Sequence, residues 1–371
     1  MVMCMLPRKL CSDLDGIVRK FWWSPKKSGN KYYSPVAWKE LCQPLSSGGL
    51  GFRSFESFHE AMIAKLAWWV LSGRDSFCIK IFTAKYHVGS KWLNSPPSRL
   101  ASFAWRGIER AKSLLARGAC KLVGSGDSIL VWSEPWVPGL TDFIPLPKAS
   151  LEEILCLAVS QLMNQAKTDW NMDTLTSLFD LDTIQAIQNI PRWRINQMDK
   201  WIWMKTTNGE FSVKSAFKEV CQEAADPKVN VLMNQIWKFS LHQRLKLLLW
   251  RIVVGALPTK DSLSRFLTNF DNSCPLCNSF CESVVHVFWE CELARALWFG
   301  ICGIRTELFH LDNAADLVEV IVFPSDDLVF PDYFLLQGTL ILDLVWKARN
   351  SKVYDEGTVE AGEIMNNFRR L

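Results

Sequence analysis

Four residues in one short stretch have the types and spacing to hold a metal ion. They are Cys274, Cys277, His286 and Cys291, in the pattern C-x2-C-x8-H-x4-C. Zinc takes four soft or borderline ligands at tetrahedral corners, and thiolates and imidazoles serve it well. A Cys-x-x-Cys turn brings two thiolates to one side of an ion. His286 and Cys291, at the start of a following helix, supply the other side. Four protein ligands leave no open coordination position, so one structural zinc is expected and not a catalytic one. Leu276, Val284, Phe288, Ala294 and Trp298 are expected to form the small core around it. Such a core buries too little to fold alone, so the ion would contribute folding free energy. Cys281 is a spare thiol inside the loop, able to compete with Cys277 or to stay free.

Other reaction centres cannot be assembled. Gly124-Ser125-Gly126 is too short for a dinucleotide fingerprint and opens no helix. No Walker sequence is present. His59, His87, His242 and His310 stand alone and read as hydrogen-bonded structural residues. Asp326-Asp327 reads as a solvated turn, because Pro324 disturbs any hairpin there. Without a nucleophile, a base or a pair of metal-binding carboxylates, neither an enzyme in its own right nor a small-molecule substrate is expected.

Composition bounds the rest. The chain has 371 residues, 49% hydrophobic and 22% charged, which is globular and long enough for two or three small domains. Its 18 tryptophans must mostly be buried or at interfaces. The most apolar run, Leu245 to Leu257, is too short to span a bilayer and carries Lys246 and Arg251, so no membrane role is expected. The opening MVMCMLPRKLCSD is too short an apolar stretch for a secretory signal, so a nuclear or cytoplasmic setting is expected. In such a reducing compartment the eight cysteines outside 274–291 read as small buried apolar residues. Charge is segregated: residues 1–120 hold 19 Lys+Arg against 7 Asp+Glu, a balance of +12, and the remainder holds 23 against 31, a balance of −8. A polyanion partner for the first third would explain that split; a basic solvated surface is the plain alternative.

The elements that must position these residues are mainly helical. Periodicity predicts helices at 8–23 (Leu10, Leu14, Ile17, Val18 and Phe21 on one face), 58–71 and 104–117. Ser150 with Glu153 makes a capping box for a helix that opens 150–190, and a second helix follows from about Asp173. Further helices are expected at 213–220, 230–239, 243–256, 259–268, 283–300, 332–350 and 358–370. Two short hairpins are predicted. One joins Lys121–Val123 to Ser128–Trp132 through Gly-Ser-Gly-Asp; the other folds 201–213 around Asn208-Gly209. The fold class is therefore mainly α with small β-hairpins (α+β), in several parts, with a zinc-stabilised module.

At this point several stretches, in order, resemble the C-terminal part of plant non-LTR (LINE-type) retrotransposon reverse transcriptases. FWWSPKKSGNKYYSPVAWKELCQPLSSGGLGFRSFESFHEAMIAKLAWWVL (21–71) is similar to the region after the polymerase palm and thumb. SFAWRGIERAKSLLARG (102–118) and VGSGDSILVWSEPWVPG (123–139) continue it. DKWIWMKTTNGEFSVKSAF (199–217), IWKF (236–239), LLLWRIVVGALPTKDSL (247–263) and the Cys/His set resemble the reverse-transcriptase zinc-binding domain, and WKARN (346–350) the segment leading to ribonuclease H. LHQRLKLLLW (241–250) departs by lacking the family's usual prolines. The polymerase and ribonuclease H carboxylates of the family have no counterpart here, so a non-catalytic fragment is expected.

The resemblance implies five parts: a basic post-thumb segment 1–75, a connector 76–148, a helical linker 149–198, the zinc-binding domain 199–303 and a helical tail 304–371. It implies RNA or DNA as partner. Candidate contacts are Lys20, Lys26, Lys27, Lys31 and Lys39, interleaved with Trp22, Trp23, Tyr32 and Tyr33, of which the two tryptophans read better as core. Arg244, Lys246 and Arg251 form a weaker second patch. The rival readings are a zinc-stabilised protein–protein adaptor and an element relic without function.

Overall fold

The computed structural model describes residues 6–24, 32–148, 156–191, 198–221, 227–267, 270–278, 281–324, 331–354 and 360–368. The helices, in chain order, are α1 (Arg8–Trp23), α2 (Trp38–Leu41), α3 (Phe55–Leu71), α4 (Phe77–Lys85), α5 (Phe103–Arg110), α6 (Lys112–Ala116), α7 (Met172–Leu178) and α8 (Leu181–Gln188). They continue with α9 (Val213–Val220), α10 (Pro227–Lys238), α11 (Gln243–Val253), α12 (Lys260–Ser264), α13 (Glu292–Cys302), α14 (Ala314–Val322), α15 (Pro331–Tyr354) and α16 (Ala361–Phe368). Among the described residues two strands, β1 (Ala119–Leu122) and β2 (Lys200–Trp203), accompany these helices, with short 3-10 and π turns between them. None of the described helices is long and apolar enough to cross a membrane. The chain forms two compact units, Met1–Leu14 with Arg53–Gln222, and Asp15–Phe52 with Glu223–Leu371. The division at 222/223 falls inside the stretch read above as one zinc-binding domain, 199–303.

In the first unit α3 is the central helix. Ser54 caps it by accepting from the Ser57 N–H at 3.2 Å. Ala61, Ile63, Ala64, Leu66, Ala67, Trp68 and Val70 are all buried, so little of its surface meets water. Trp68 meets Trp203 of β2 edge-on at 5.9 Å and stacks on Phe211 at 5.4 Å. Trp105 and Ile108 of α5 join the same core, and a second core gathers Ile129, Val131, Trp136, Leu162 and Phe179. Gly118 is required where it stands, because a Cβ there would come within 2.9 Å of the Trp203 ring.

The two predicted hairpins are replaced by one sheet. β1 pairs antiparallel with β2, Ala119 opposite Trp203 and Leu122 opposite Lys200. The reason lies in where the backbone donors of 128–131 go. Ser128 N–H binds the Asp199 carboxylate at 3.1 Å, Leu130 N–H binds Glu134 at 2.7 Å and Val131 N–H binds the Leu157 carbonyl at 2.9 Å. These three donors are therefore not offered to β1, while Asp199, next to β2, also accepts from Gly124 and Gly126 N–H at 2.8 and 2.9 Å. The Asn208-Gly209 turn does form, with Gly209 at φ +70°, but its far arm caps α9 through Ser212 instead of forming a strand. Lys121 of β1 is neutralised by Glu134 at 2.7 Å, both side chains being almost fully buried.

The second unit is built on α10–α15. Leu248, Leu249, Ile252, Leu297, Trp298, Leu317, Ile321, Ile341, Leu342 and Val345 make one core with Phe288 and Trp289. Helix α14 was not among the predicted elements, and α12 stops short of 268. The apolar face predicted on α1 is largely solvent-facing: Leu10, Ile17 and Phe21 are 43%, 66% and 72% exposed. The Ser150/Glu153 capping box and Asp326-Asp327 lie outside the described residues.

Candidate metal centre

The turn Pro275–Cys277 is closed by Asn278 N–H donating to the Cys274 carbonyl at 2.8 Å. It presents Cys274, buried, and Cys277, half-buried, on one side. The other side comes from a π-helical turn, His286–Glu290. In an α-helix, residues five apart point about 140° away from each other. The π turn removes that divergence: Cys291 N–H donates to the His286 carbonyl at 2.7 Å, an i→i+5 bond, and both side chains face the Cys274 turn. Cys291 then leaves helical geometry at φ −60°, ψ 140° as α13 begins.

The sulfur and nitrogen atoms of Cys274, Cys277, His286 and Cys291 all lie within 4.8 Å of one another. Cys277 Sγ is 3.3 Å from His286 Nε2. A tetrahedral zinc with bonds of about 2.3 Å to sulfur and 2.0 Å to nitrogen requires separations of roughly 3.5–3.8 Å, so the set fits the ion with small adjustments. His286 Nδ1 faces the Glu290 carboxylate at 3.7 Å, the orienting partner that metal-bound imidazoles commonly have. The electrostatics are those of electron pairs crowded together. A hydrogen bond from Cys291 pulls the Cys274 thiol far below its usual range, with help from His286 and the Cys277 and Leu276 backbone, against burial. Cys291 is pushed up, first by that same bond and then by burial. His286 is raised, chiefly by its hydrogen bond to Cys274.

Cys281 is not part of the set. It is exposed, in a bridge with Ser273, and its thiol donates to Asp261 at 3.4 Å. Burial, then Asp261, raises its pKa, and its sulfur lies outside the group of ligand atoms that converge.

The predicted polyanion contacts fare unequally. Lys26, Lys27 and Lys31 lie outside the described residues. Lys20 ends α1 half-buried, and Lys39 is exposed on α2. Trp22 and Trp23 pack on the second unit's core, and Trp22 sits 5.2 Å from Phe52. Tyr32 accepts from Arg19 at 2.9 Å, and Tyr33 donates to Ser262 at 3.5 Å. The second patch is partly held within the fold. Lys246 is only 8% exposed and donates to the Trp237 carbonyl at 2.9 Å. Arg244 is bound to Asp343 at 2.8 Å, and burial lowers the Arg251 pKa. The apolar period of α11 turns Lys246 inward, which a charge count does not register.

Comparison with known proteins agrees with this geometry. Residues 211–298, which include all four Cys/His residues, match the family described as zinc-binding in reverse transcriptase. The chain is 26% identical over 310 residues to a protein of Arabidopsis thaliana named as a ribonuclease H protein, covering 82% of this chain and 49% of that one. It therefore spans about half the length of that relative. It is 31% identical over 142 residues to an uncharacterized mitochondrial protein of the same plant, covering 38% of this chain and 92% of that protein. With a zinc-binding match over the Cys/His set and a relative at 31% identity matched over 92% of its length, the chain belongs to a retrotransposon-derived reverse-transcriptase family of plants, and residues 211–298 are its zinc-binding domain.

Proposed function

We propose that this chain is a non-catalytic, nucleic-acid-binding region of a retrotransposon reverse transcriptase, organised by one structural zinc on Cys274, Cys277, His286 and Cys291. The observation that carries the nucleic-acid part is the charge split, +12 over residues 1–120 against −8 beyond. The fold adds a surface to it. Phe103, Arg106 and Arg110 are exposed along α5 at the 3- and 4-residue spacing of one helical face, and Ser113 and Arg117 are exposed in and just after α6. No carboxylate pairs with Arg106 or Arg110 among the described residues. Cations on phosphates and an exposed ring for base stacking are the chemistry of single-strand binding. Lys20, Lys26, Lys27, Lys31 and Lys39 extend the basic segment, and Arg244 and Arg251 are at most secondary contacts.

The non-catalytic reading rests on a metal set whose four positions are all filled by protein donors. When bound, zinc supplies folding free energy and fixes the loop; the ligands hold it and Glu290 orients His286. Fluorescence anisotropy with labelled single-stranded RNA and DNA tests the reading. Binding should weaken steeply with salt, and neutralising Lys26, Lys27 and Lys31 together should flatten the log–log slope by about two. Absence of binding at low salt overturns it. Primer extension or RNA cleavage above background overturns the non-catalytic part.

A protein–protein adaptor is the second reading, favoured by the exposed Leu10, Ile17 and Phe21 on α1. Binding to a protein partner that is lost in Phe21→Ser, together with no RNA or DNA binding, would select it.

A further inference from the structure

The matched zinc-binding stretch ends at residue 298, yet the ligand loop is gripped from α15, more than thirty residues beyond. Arg349 forks onto Glu282: Nε donates to Oε1 at 2.6 Å and Nη2 donates to Oε2 at 2.9 Å. The two side chains are 3% and 0% exposed. Glu282 stands four residues before His286. Two residues after His286, Phe288 meets the Trp346 ring at 6.0 Å, and the Arg349 guanidinium lies over that same ring at 5.0 Å. The segment carrying His286 is thus held on both sides by neighbouring turns of one helix. The fork also reaches the chain before the metal turn. Glu282 Oε2 accepts the Lys260 N–H at 2.6 Å, and Arg349 Nη2 donates to the Pro258 carbonyl at 3.1 Å.

Burying a carboxylate and a guanidinium costs several kcal/mol of hydration, and apolar residues of equal volume usually stabilise a fold as well or better. What the pair adds is direction. A bidentate fork fixes the angle as well as the distance between its two planes, which apolar packing does not. Here it fixes the loop between the two halves of the ligand set.

We propose that Arg349 is a positioning residue of the metal centre and that α15 is a working part of the zinc module. The inference rests on the assignment of zinc to Cys274, Cys277, His286 and Cys291. It is tested on the full zinc-loaded chain by following zinc release to a chromogenic chelator, the d–d spectrum of the cobalt-substituted protein, and helix content. Arg349→Lys keeps the charge and loses the fork. The paired Arg349→Met, Glu282→Met variant removes both charges, so neither is left buried alone. Both should retain helix content, release zinc roughly tenfold faster than the parent, and shift the cobalt bands. Release at the parental rate with an unchanged cobalt spectrum, from either variant in folded form, overturns the proposal and leaves the ligand assignment standing. A parent chain that purifies folded but binds no zinc overturns both.

Discussion

Two loops of this chain each gather polar atoms around one point, with opposite electrical sign. In the second unit, three sulfurs and an imidazole nitrogen converge to within 4.8 Å. In the first unit, the N–H groups of Gly124, Gly126 and Ser128 converge on one carboxylate, Asp199, at 2.8 to 3.1 Å. Converging donors repel one another unless an anion sits among them, and converging lone pairs do so unless a cation does. The chain supplies the anion from its own sequence, so the donor loop closes as the unit folds. The cation has to come from solution, so metal binding is expected to stabilise the closed sulfur loop. One loop is therefore a matter of pH and the other of metal supply.

Removing the metal should have the largest effect. Structural zinc contributes on the order of 10 kcal/mol in small modules. Metal analysis should find about one equivalent in the folded chain, and Cys277→Ser should lose it. Hydrogen exchange should then show residues near 270–300 deprotected while β1 and β2 stay protected. Deprotection of both regions would break the contrast between the loops.

Asp199→Ala should do the reverse. It leaves three backbone donors without their acceptor, at a cost of about 2 kcal/mol, moderated by the partial solvent access of the site. The urea midpoint read by tryptophan fluorescence should fall, and zinc stoichiometry should stay at that of the parent. Loss of zinc on this substitution would count against separate control.

A pH titration sharpens the point. Burial raises the Asp199 pKa, but hydrogen bonds from Ser128, Gly126 and Gly124 outweigh it, and the net shift is downward. A depressed carboxyl lends stability that is complete above its unfolded value, about 3.9, and that disappears as pH falls through the folded value. Asp199→Asn should thus be less stable than the parent near neutrality, and the gap should close below about pH 4. A gap that persists undiminished at lower pH would show that charge is not what the loop needs.

Cys281→Ser should have the smallest effect, within about 0.5 kcal/mol and with zinc content unchanged, since among the described residues its thiol donates to Asp261 and not to the ligand set. If this substitution releases the metal and Cys277→Ser does not, the ligand set is Cys281 and not Cys277.

The metal ligands were legible because all four lie within eighteen residues and a turn plus one helical start suffices to join them. Yet the H-x4-C gap also held information that α-periodicity hides. Residues five apart cannot share a face of an α-helix, and the π turn at His286–Glu290 is how the backbone resolves this. The long amphipathic segments were legible for a similar reason, with 8–23 and 331–354 close to their predicted limits. Hairpins were not, because a Gly-Asp or Asn-Gly turn says that the chain bends and nothing about which strand it will pair.

What the sequence by itself determined is what local chemistry encodes: the ligand spacing, the helical periods and the basic first third. Tertiary structure alone decided the partners. β1 reaches across some eighty residues to β2, Asp199 reaches back to Gly124, and Arg349 meets Glu282 over a separation of 67. It also decided that Lys246 turns inward to the Trp237 carbonyl while Arg106 and Arg110 stay in water. The physical reason is range. Propensity and periodicity act over a few turns of chain, whereas hydrogen-bond satisfaction and burial are settled among every group that collapse brings together.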